Sequence, residues 1–259
     1  STVTGSTGAV TYSYSGTGTT TYGPTATLPT ASGTYQVVAT VASDANFNEA
    51  SSAPFAFTID KLAISITADA KTKIYGNADP AFTFQVTSGS LLGADVLTGS
   101  LTRSTGENVG TYAITQGTLA LNSNYTLTFV PTNLTIAARA ITITADPQTK
   151  VYGSGDPTFT YQITLGNLVD GDVLSGSLTR SAGENVGTFA IAIGSLSNAN
   201  YSITFVSADL SITPKTLVIT PNTGQSKQEG AADPTLTYQA SGWEFSDNAN
   251  LLTGGLSRE

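Results

Sequence analysis

The ten residues Arg103-Ser-Thr-Gly-Glu-Asn-Val-Gly-Thr-Tyr112 recur 77 positions later as Arg180-Ser-Ala-Gly-Glu-Asn-Val-Gly-Thr-Phe189. Other landmarks keep the same offset or miss it by one. Tyr75-Gly76 returns as Tyr152-Gly153, Asp79-Pro80 as Asp156-Pro157, and Asn124-Tyr125 as Asn200-Tyr201. A fixed period marks an array of similar modules, each small enough to depend on its neighbours. The repeat divides the chain into four parts. Residues 1–60 read as a partial Ig-like β module, because Gly33-Thr34-Tyr35 and Asn46-Phe47 match Gly110-Thr111-Tyr112 and Asn124-Tyr125. Residues 61–138 are the first full repeat and 139–214 the second. Residues 215–259 are a truncated third, in which Lys227 matches Lys150 and Asp233-Pro234 matches Asp156-Pro157. The expectation is a piece of a longer array, with 222–259 its least stable part.

Within each part, short apolar and aromatic runs alternate with hydroxyl residues, and Gly, Asn, Asp and Pro stand between them. That is strand and turn grammar. Strands are expected at 10–14, 33–41 and 55–59, then at 64–68, 81–86, 111–115, 125–129 and 133–136. In the second repeat they fall at 141–144, 159–163, 188–193 and 201–205, and the third opens with one at 217–220. The stretch 91–97 is either a short helical turn or an irregular crossing. The fold class is all-β: tandem small β-sandwich (Ig-like) modules in an elongated array. The alternative is β-grasp-like modules with one short helix near 168–174. Junctions at 59–61, 136–139 and 212–215 leave almost no linker, which favours a semi-rigid rod.

Composition removes several functions. Lys and Arg number ten against 18 Asp and Glu, for a net charge of −8. No basic cluster exists, so there is no nucleic-acid footprint. The chain has neither Cys nor His. Zinc sites built on those residues and Ser-His or Cys-His pairs are therefore excluded. No stretch approaches the roughly 18 apolar residues of a membrane span, so no membrane insertion is expected in this segment. Charged residues are 11% of the chain, against about 25% in an ordinary soluble domain. Thr, Ser and Gly take their place on the surface.

The pattern Lys-x-Tyr-Gly-x-x-Asp-Pro, a crossing with Gly and Asp, Leu-Thr-Arg-Ser-x-Gly-Glu-Asn-Val-Gly-Thr-aromatic and then Asn-Tyr resembles the MBG-type repeats of large bacterial surface and secreted proteins, adhesin-like exoproteins among them. The resemblance covers roughly 61–259. Its Tyr-Gly element is Tyr75-Gly76 and Tyr152-Gly153, and the third repeat departs with Glu229-Gly230. It implies architecture and location, not a ligand.

Each residue that invites chemistry also has a plainer reading. Glu107 and Glu184 could offer a carboxylate to a metal, but in a Gly-Glu-Asn-Val-Gly turn they are expected to satisfy backbone N–H groups, with Gly187 at an unusual φ. Asp170-Gly171-Asp172 resembles part of a calcium loop and falls short of the six to eight oxygens calcium needs. Its counterparts are Asp95 and Asn250, so capping explains it better. Asp79 and Asp156 precede Pro and read as turn residues. Lys73, Lys150 and Lys227 recur after the first strand. Lys150 with Asn185 and Glu184 could form an isopeptide trio, but neighbouring residues on a strand point to opposite faces. Tyr112, Phe189, Tyr125 and Tyr201 could stack on sugars, and their alternating positions assign them to module cores instead. Trp243 is the only Trp and is expected in a core or at an edge. Thr142 and Thr144 form one Thr-x-Thr pair, ordinary strand composition rather than an ice-binding array.

No catalytic, cofactor-binding or metal residue is assigned, and no cofactor. The expected role is a spacer or stalk in a bacterial cell-surface or secreted adhesin-like protein, not an enzyme. Its partners would be the neighbouring modules of the same chain. The alternative is an adhesive module recognising a host or cell-surface glycan or a matrix protein.

Overall fold

A computed structural model of the chain describes residues 5–258. Residues 1–4 of the first segment and Glu259 of the last lie outside the described residues. The chain forms two compact units, Ser1–Ala137 and Ala138–Glu259. Among the described residues the secondary structure is all strand apart from one 3-10 turn at Ala249–Leu251. No helix is long and apolar enough to cross a membrane. The short helix of the grasp alternative is not formed, since residues 166–178 cross as irregular chain with a turn at 170–171. Gly166, Gly171 and Gly176 all take positive φ there, and three such residues within 11 positions cannot hold a helix.

The first unit begins with a four-stranded sheet. Strand β1 (Val10–Gly16) pairs antiparallel with β2 (Gly33–Val41), and β3 (Ala50–Ser51) and β4 (Phe55–Ile59) also pair with β2. Its centre is Tyr35, which stacks on Phe57 at 5.5 Å and meets Tyr22 edge-on at 5.7 Å. Asp44 closes the loop after β2 by accepting the N–H groups of Thr7, Asn46 and Phe47.

Seven strands follow: β5 (Leu62–Ala68), β6 (Lys71–Ile74), β7 (Phe84–Ser88), β8 (Thr102–Arg103), β9 (Gly110–Thr115), β10 (Tyr125–Val130) and β11 (Thr132–Ala137). They make two sheets, ordered β10-β5-β7 and β6-β11-β9-β8. β10 runs parallel to β5, and β11 runs parallel to β6. Thus the opening stretch of the repeat lies beside its closing stretch, pointing the same way, in both sheets. The inward residues switch parity at each bend. Ile64, Ile66 and Ala68 are buried in β5, then Lys73 in β6; Tyr125 is buried in β10, then Leu134 and Ile136 in β11. A strand that leaves one sheet for a second one must re-aim its apolar face, and the unpaired residues between the strands supply the shift. Ile114 and Leu119 complete the core.

The second unit repeats this plan. Strands β12 (Arg139–Ala145), β13 (Gln148–Val151), β14 (Tyr161–Leu165), β15 (Thr179–Arg180), β16 (Gly187–Ala192), β17 (Tyr201–Val206) and β18 (Asp209–Thr213) form sheets ordered β14-β12-β17 and β13-β18-β16-β15. The β12–β17 and β13–β18 pairs are again parallel, and Ile141, Ile143, Ile191, Leu210 and Ile212 are buried. Threonines face outward and bond across strands, Thr102 to Thr115 at 2.9 Å and Thr144 to Thr164 at 2.9 Å. Such hydroxyl pairs stabilise a solvated face without charge.

The strands of residues 215–258 are one antiparallel pair, β19 (Val218–Pro221) with β20 (Tyr238–Ser241), followed by the 3-10 turn. Ile219 is 40% exposed, whereas its counterpart Ile143 is 0% exposed. A lone two-stranded hairpin is marginal in water. Hydrogen exchange should therefore find the amides of Ile219 and Thr220 much less protected than those of Ile143 and Ile191. Equal protection would overturn this account of local stability.

Candidate functional site: a recurring ion quartet

The strand β6 is short and polar, Lys-Thr-Lys-Ile, and its alternation turns Lys73 inward. The Lys73 side chain is only 4% exposed. A buried ammonium is tolerated only when paired and hydrogen-bonded. Its Nζ donates to Asp79 Oδ1 at 2.6 Å and to Glu107 Oε2 at 2.6 Å. Arg103, at the end of β8, closes the ring from the other side. Its Nε reaches Asp79 Oδ2 at 2.6 Å, and its Nη2 reaches Glu107 Oε1. Nη1 donates to the carbonyls of Ser104 at 2.9 Å and Gly106 at 2.6 Å. Two cations and two carboxylates thus fasten three separate places together: the lysine strand, the Asp-Pro loop and the Gly-Glu-Asn-Val-Gly turn.

The second repeat copies this arrangement. Lys150 Nζ donates to Asp156 Oδ1 and Glu184 Oε2 at 2.6 Å each, and Arg180 Nε donates to Asp156 Oδ2 at 2.7 Å. Arg180 also reaches Glu184 Oε1 and the Gly183 carbonyl. In the third repeat Lys227 and Arg258 share Asp233.

The guanidinium lies over an aromatic ring, Arg103 over Tyr112 and Arg180 over Phe189, each at 5.4 Å. That stacking adds a cation–π attraction to the ion pairs. The ring also dictates a glycine. Gly183 sits at φ +139°, and a Cβ there would stand 2.2 Å from Phe189 Cε1; Gly106 and Tyr112 repeat the relation. Gly187 takes φ +153°, where a Cβ would make only an ordinary contact with Phe189 Cε2 at 4.0 Å.

The electrostatics hold the quartet in its charged form. The Arg180 guanidinium, with Lys150, pulls the Asp156 carboxyl from 3.8 to about 2. Glu184 is lowered by Lys150 and then Arg180. Burial presses Lys73 downward, and the bonds to Asp79 and Glu107 outweigh it, so its pKa is raised. Lys150 is raised by Asp156 and Glu184. With both carboxylates held low and the lysine held high, no member is poised to move a proton near neutral pH.

Several expectations change here. Asp79 and Asp156 are more than turn residues: each bridges the lysine and the arginine. The Glu107 and Glu184 oxygens accept from the two cations rather than serving the turn backbone alone. Lys150 is bonded to Asp156 and Glu184, so the trio with Asn185 is not the one assembled, and a charged ammonium beside ionised carboxylates is a poor nucleophile beside poor electrophiles. Tyr112 and Phe189 are half-buried under guanidinium groups rather than in the deep core. Tyr125 and Tyr201 are buried, as expected.

Asp172 is committed to the fold as well. The Tyr201 hydroxyl donates to Asp172 and accepts the Val169 N–H at 2.7 Å. Tyr125 does the same with Asp95 at 2.7 Å and the Leu92 N–H at 2.8 Å. Asp170 is exposed. Among the described residues no group of three acidic side chains is placed to hold a metal. Trp243 is half-buried and donates to the Ala240 carbonyl at 3.1 Å. The quartet had a signal in the sequence: Lys, Asp, Arg and Glu recur together, two of each sign.

The model of the family described as MBG domain (YGX type) matches residues 64–135 and 141–211. No curated protein matches the chain.

Two measurements test the quartet. Asp156→Ala should cost the second repeat about 2 kcal/mol, as for a lost hydrogen bond between charged groups, while Asp170→Ala should stay within about 0.5 kcal/mol; urea denaturation read in the second unit decides. For pH, a carboxyl whose folded pKa is depressed contributes stability that is present above its unfolded pKa and lost as pH falls through the folded one. The second unit should therefore hold its melting temperature from neutral pH to about 5 and lose it between 3.8 and about 2, and Asp156→Asn should flatten that loss.

Proposed function

The chain belongs to the MBG-domain family of the YGX type, and on that footing we propose that this segment is a structural spacer, a stalk piece of a bacterial cell-surface or secreted adhesin-like protein. MBG domains occur in surface proteins. The observation that supports the spacer reading best is the ion quartet itself. It is the most elaborate polar constellation of each full repeat, and all four of its side chains bond one another. A group repeated in that way, with its charges paired to one another, serves the fold of each full repeat rather than a ligand of one.

The repeated aromatics point the same way. Tyr125 and Tyr201 are buried, and Tyr112 and Phe189 lie beneath arginines. An adhesive surface built on repetition would present such rings to solvent. The mechanism of a spacer is mechanical: it sets a distance, and its hydroxyl-rich acidic exterior keeps it soluble and weakly attractive to other surfaces. An extracellular location fits that exterior. No enzymatic role is proposed, since among the described residues the clustered acids and bases are paired with one another.

The chain should show no specific binding on an array of glycans and host matrix proteins, with or without calcium. Reproducible binding to one ligand class would replace the spacer by an adhesive module, and binding that needs calcium would return attention to Asp170 and Asp172.

A further inference from the structure

We propose that the Tyr152-Gly153 turn is a clasp that fixes the second repeat to the third. The turn sits where the chain leaves its module. In the second repeat the Tyr152 N–H donates to the Thr213 carbonyl at 2.9 Å, and Ser154 N–H donates to the Val151 carbonyl at 3.0 Å. Pro214 and Lys215 come directly after that anchor, so the turn marks the module's exit.

The third repeat lays residues 243–247 onto this turn. The Tyr152 and Phe245 rings meet edge to face at 5.4 Å. The Tyr152 hydroxyl donates to Asp247 Oδ2 at 2.8 Å. Glu244, next to Phe245, pairs with Lys215 and passes over Gly153. A Cβ on Gly153 would stand 2.1 Å from Glu244 Cγ. Ring, hydroxyl and missing side chain are each used, which gives a physical reason for the pair Tyr-Gly and not merely for a turn.

Two further observations fit a built joint. Phe245 has φ +50°, the only non-glycine with positive φ among the described residues. A bulky residue holds that conformation only when its surroundings impose it, and Tyr152 is what its ring meets. Trp243, Tyr152, Pro214 and Leu217 line a cavity of about 260 Å³ at the same place. In the first repeat Tyr75-Gly76 keeps the residues, the positive φ at Gly76 and the bond from the tyrosine N–H, here to the Ala137 carbonyl at 2.9 Å. The third repeat has Glu229-Gly230 instead, with neither ring nor phenol, and a Cβ on Gly230 would meet nothing. The partner of the clasp is thus the Gly242-Trp243-Glu244-Phe245 crossing of the third repeat.

The single tryptophan makes the joint measurable in the whole chain. Tyr152→Ala should red-shift Trp243 emission and raise amide exchange at Asp247, Leu251 and Leu252 about tenfold, while Ile191 and Ile212 keep their protection. Gly153→Ala should do the same. Adding Glu244→Ala to Gly153→Ala should restore part of the emission and protection, because it removes the obstructing side chain while the strain of a side chain at φ +88° remains. Unchanged emission and exchange in Tyr152→Ala would overturn the proposal. A double variant no better than Gly153→Ala would also overturn it, since the glycine would then serve only its own backbone. Should Tyr152→Ala unfold the second repeat, Phe245→Ala and Asp247→Asn approach the joint from the other side; both must loosen 243–252, and full protection there refutes the clasp. The outcome is independent of the spacer reading: a ligand found for the chain would end that reading and leave the clasp standing.

Discussion

A lysine ammonium held between two carboxylates, with an arginine closing the ring, is the interaction each full repeat depends on. The modules are small, and their cores are a handful of Ile, Leu and Tyr side chains. Irregular chain makes up much of each repeat, from the Asp-Pro loop to the turn before β9 or β16. Apolar burial alone would leave those loops free. The quartet ties them to the lysine strand at a point where the two cations are buried, the carboxylates stay partly exposed, and each charge has two partners. Four of the ten basic residues in the chain stand in these two rings.

The repeat and most strands were legible because strand periodicity and exact recurrence are strong local signals. Strand β2 falls on 33–41 and β4 on 55–59, as the alternation indicates, while β7 begins at Phe84 rather than 81. Strands β6 and β13 were not legible. Lys-Thr-Lys-Ile and Gln-Thr-Lys-Val have the composition of a solvated turn, and nothing local says that the second lysine points inward. Its burial is decided by Asp79 and Glu107, six and 34 positions away. For the same reason the Asp-Pro pairs looked complete as turns. A residue read by its nearest neighbours shows its backbone role, and a side chain aimed at a distant partner does not. The pairing of tyrosine hydroxyls with Asp95 and Asp172 escaped in the same way: those carboxylates suggested cations, and phenols supplied the hydrogen bonds instead.

The two glycine signatures divide into different physical needs. Gly106 and Gly183 give way to a ring of their own module, so the aromatic beneath the arginine can close over the turn. Gly153 gives way to a side chain of the following repeat. One keeps the module closed and the other lets modules touch.

The parallel course of the opening and closing strands has a consequence for tension. Pulling on the two ends of a repeat draws β5 and β10, and β6 and β11, past one another along their length. The six registered pairs of one ladder and the four of the other are then loaded together instead of being opened one at a time from an edge. Resistance to force is governed by the barrier to that concerted sliding, not by equilibrium stability. A module with a modest core can in this way be weak to heat and strong to traction.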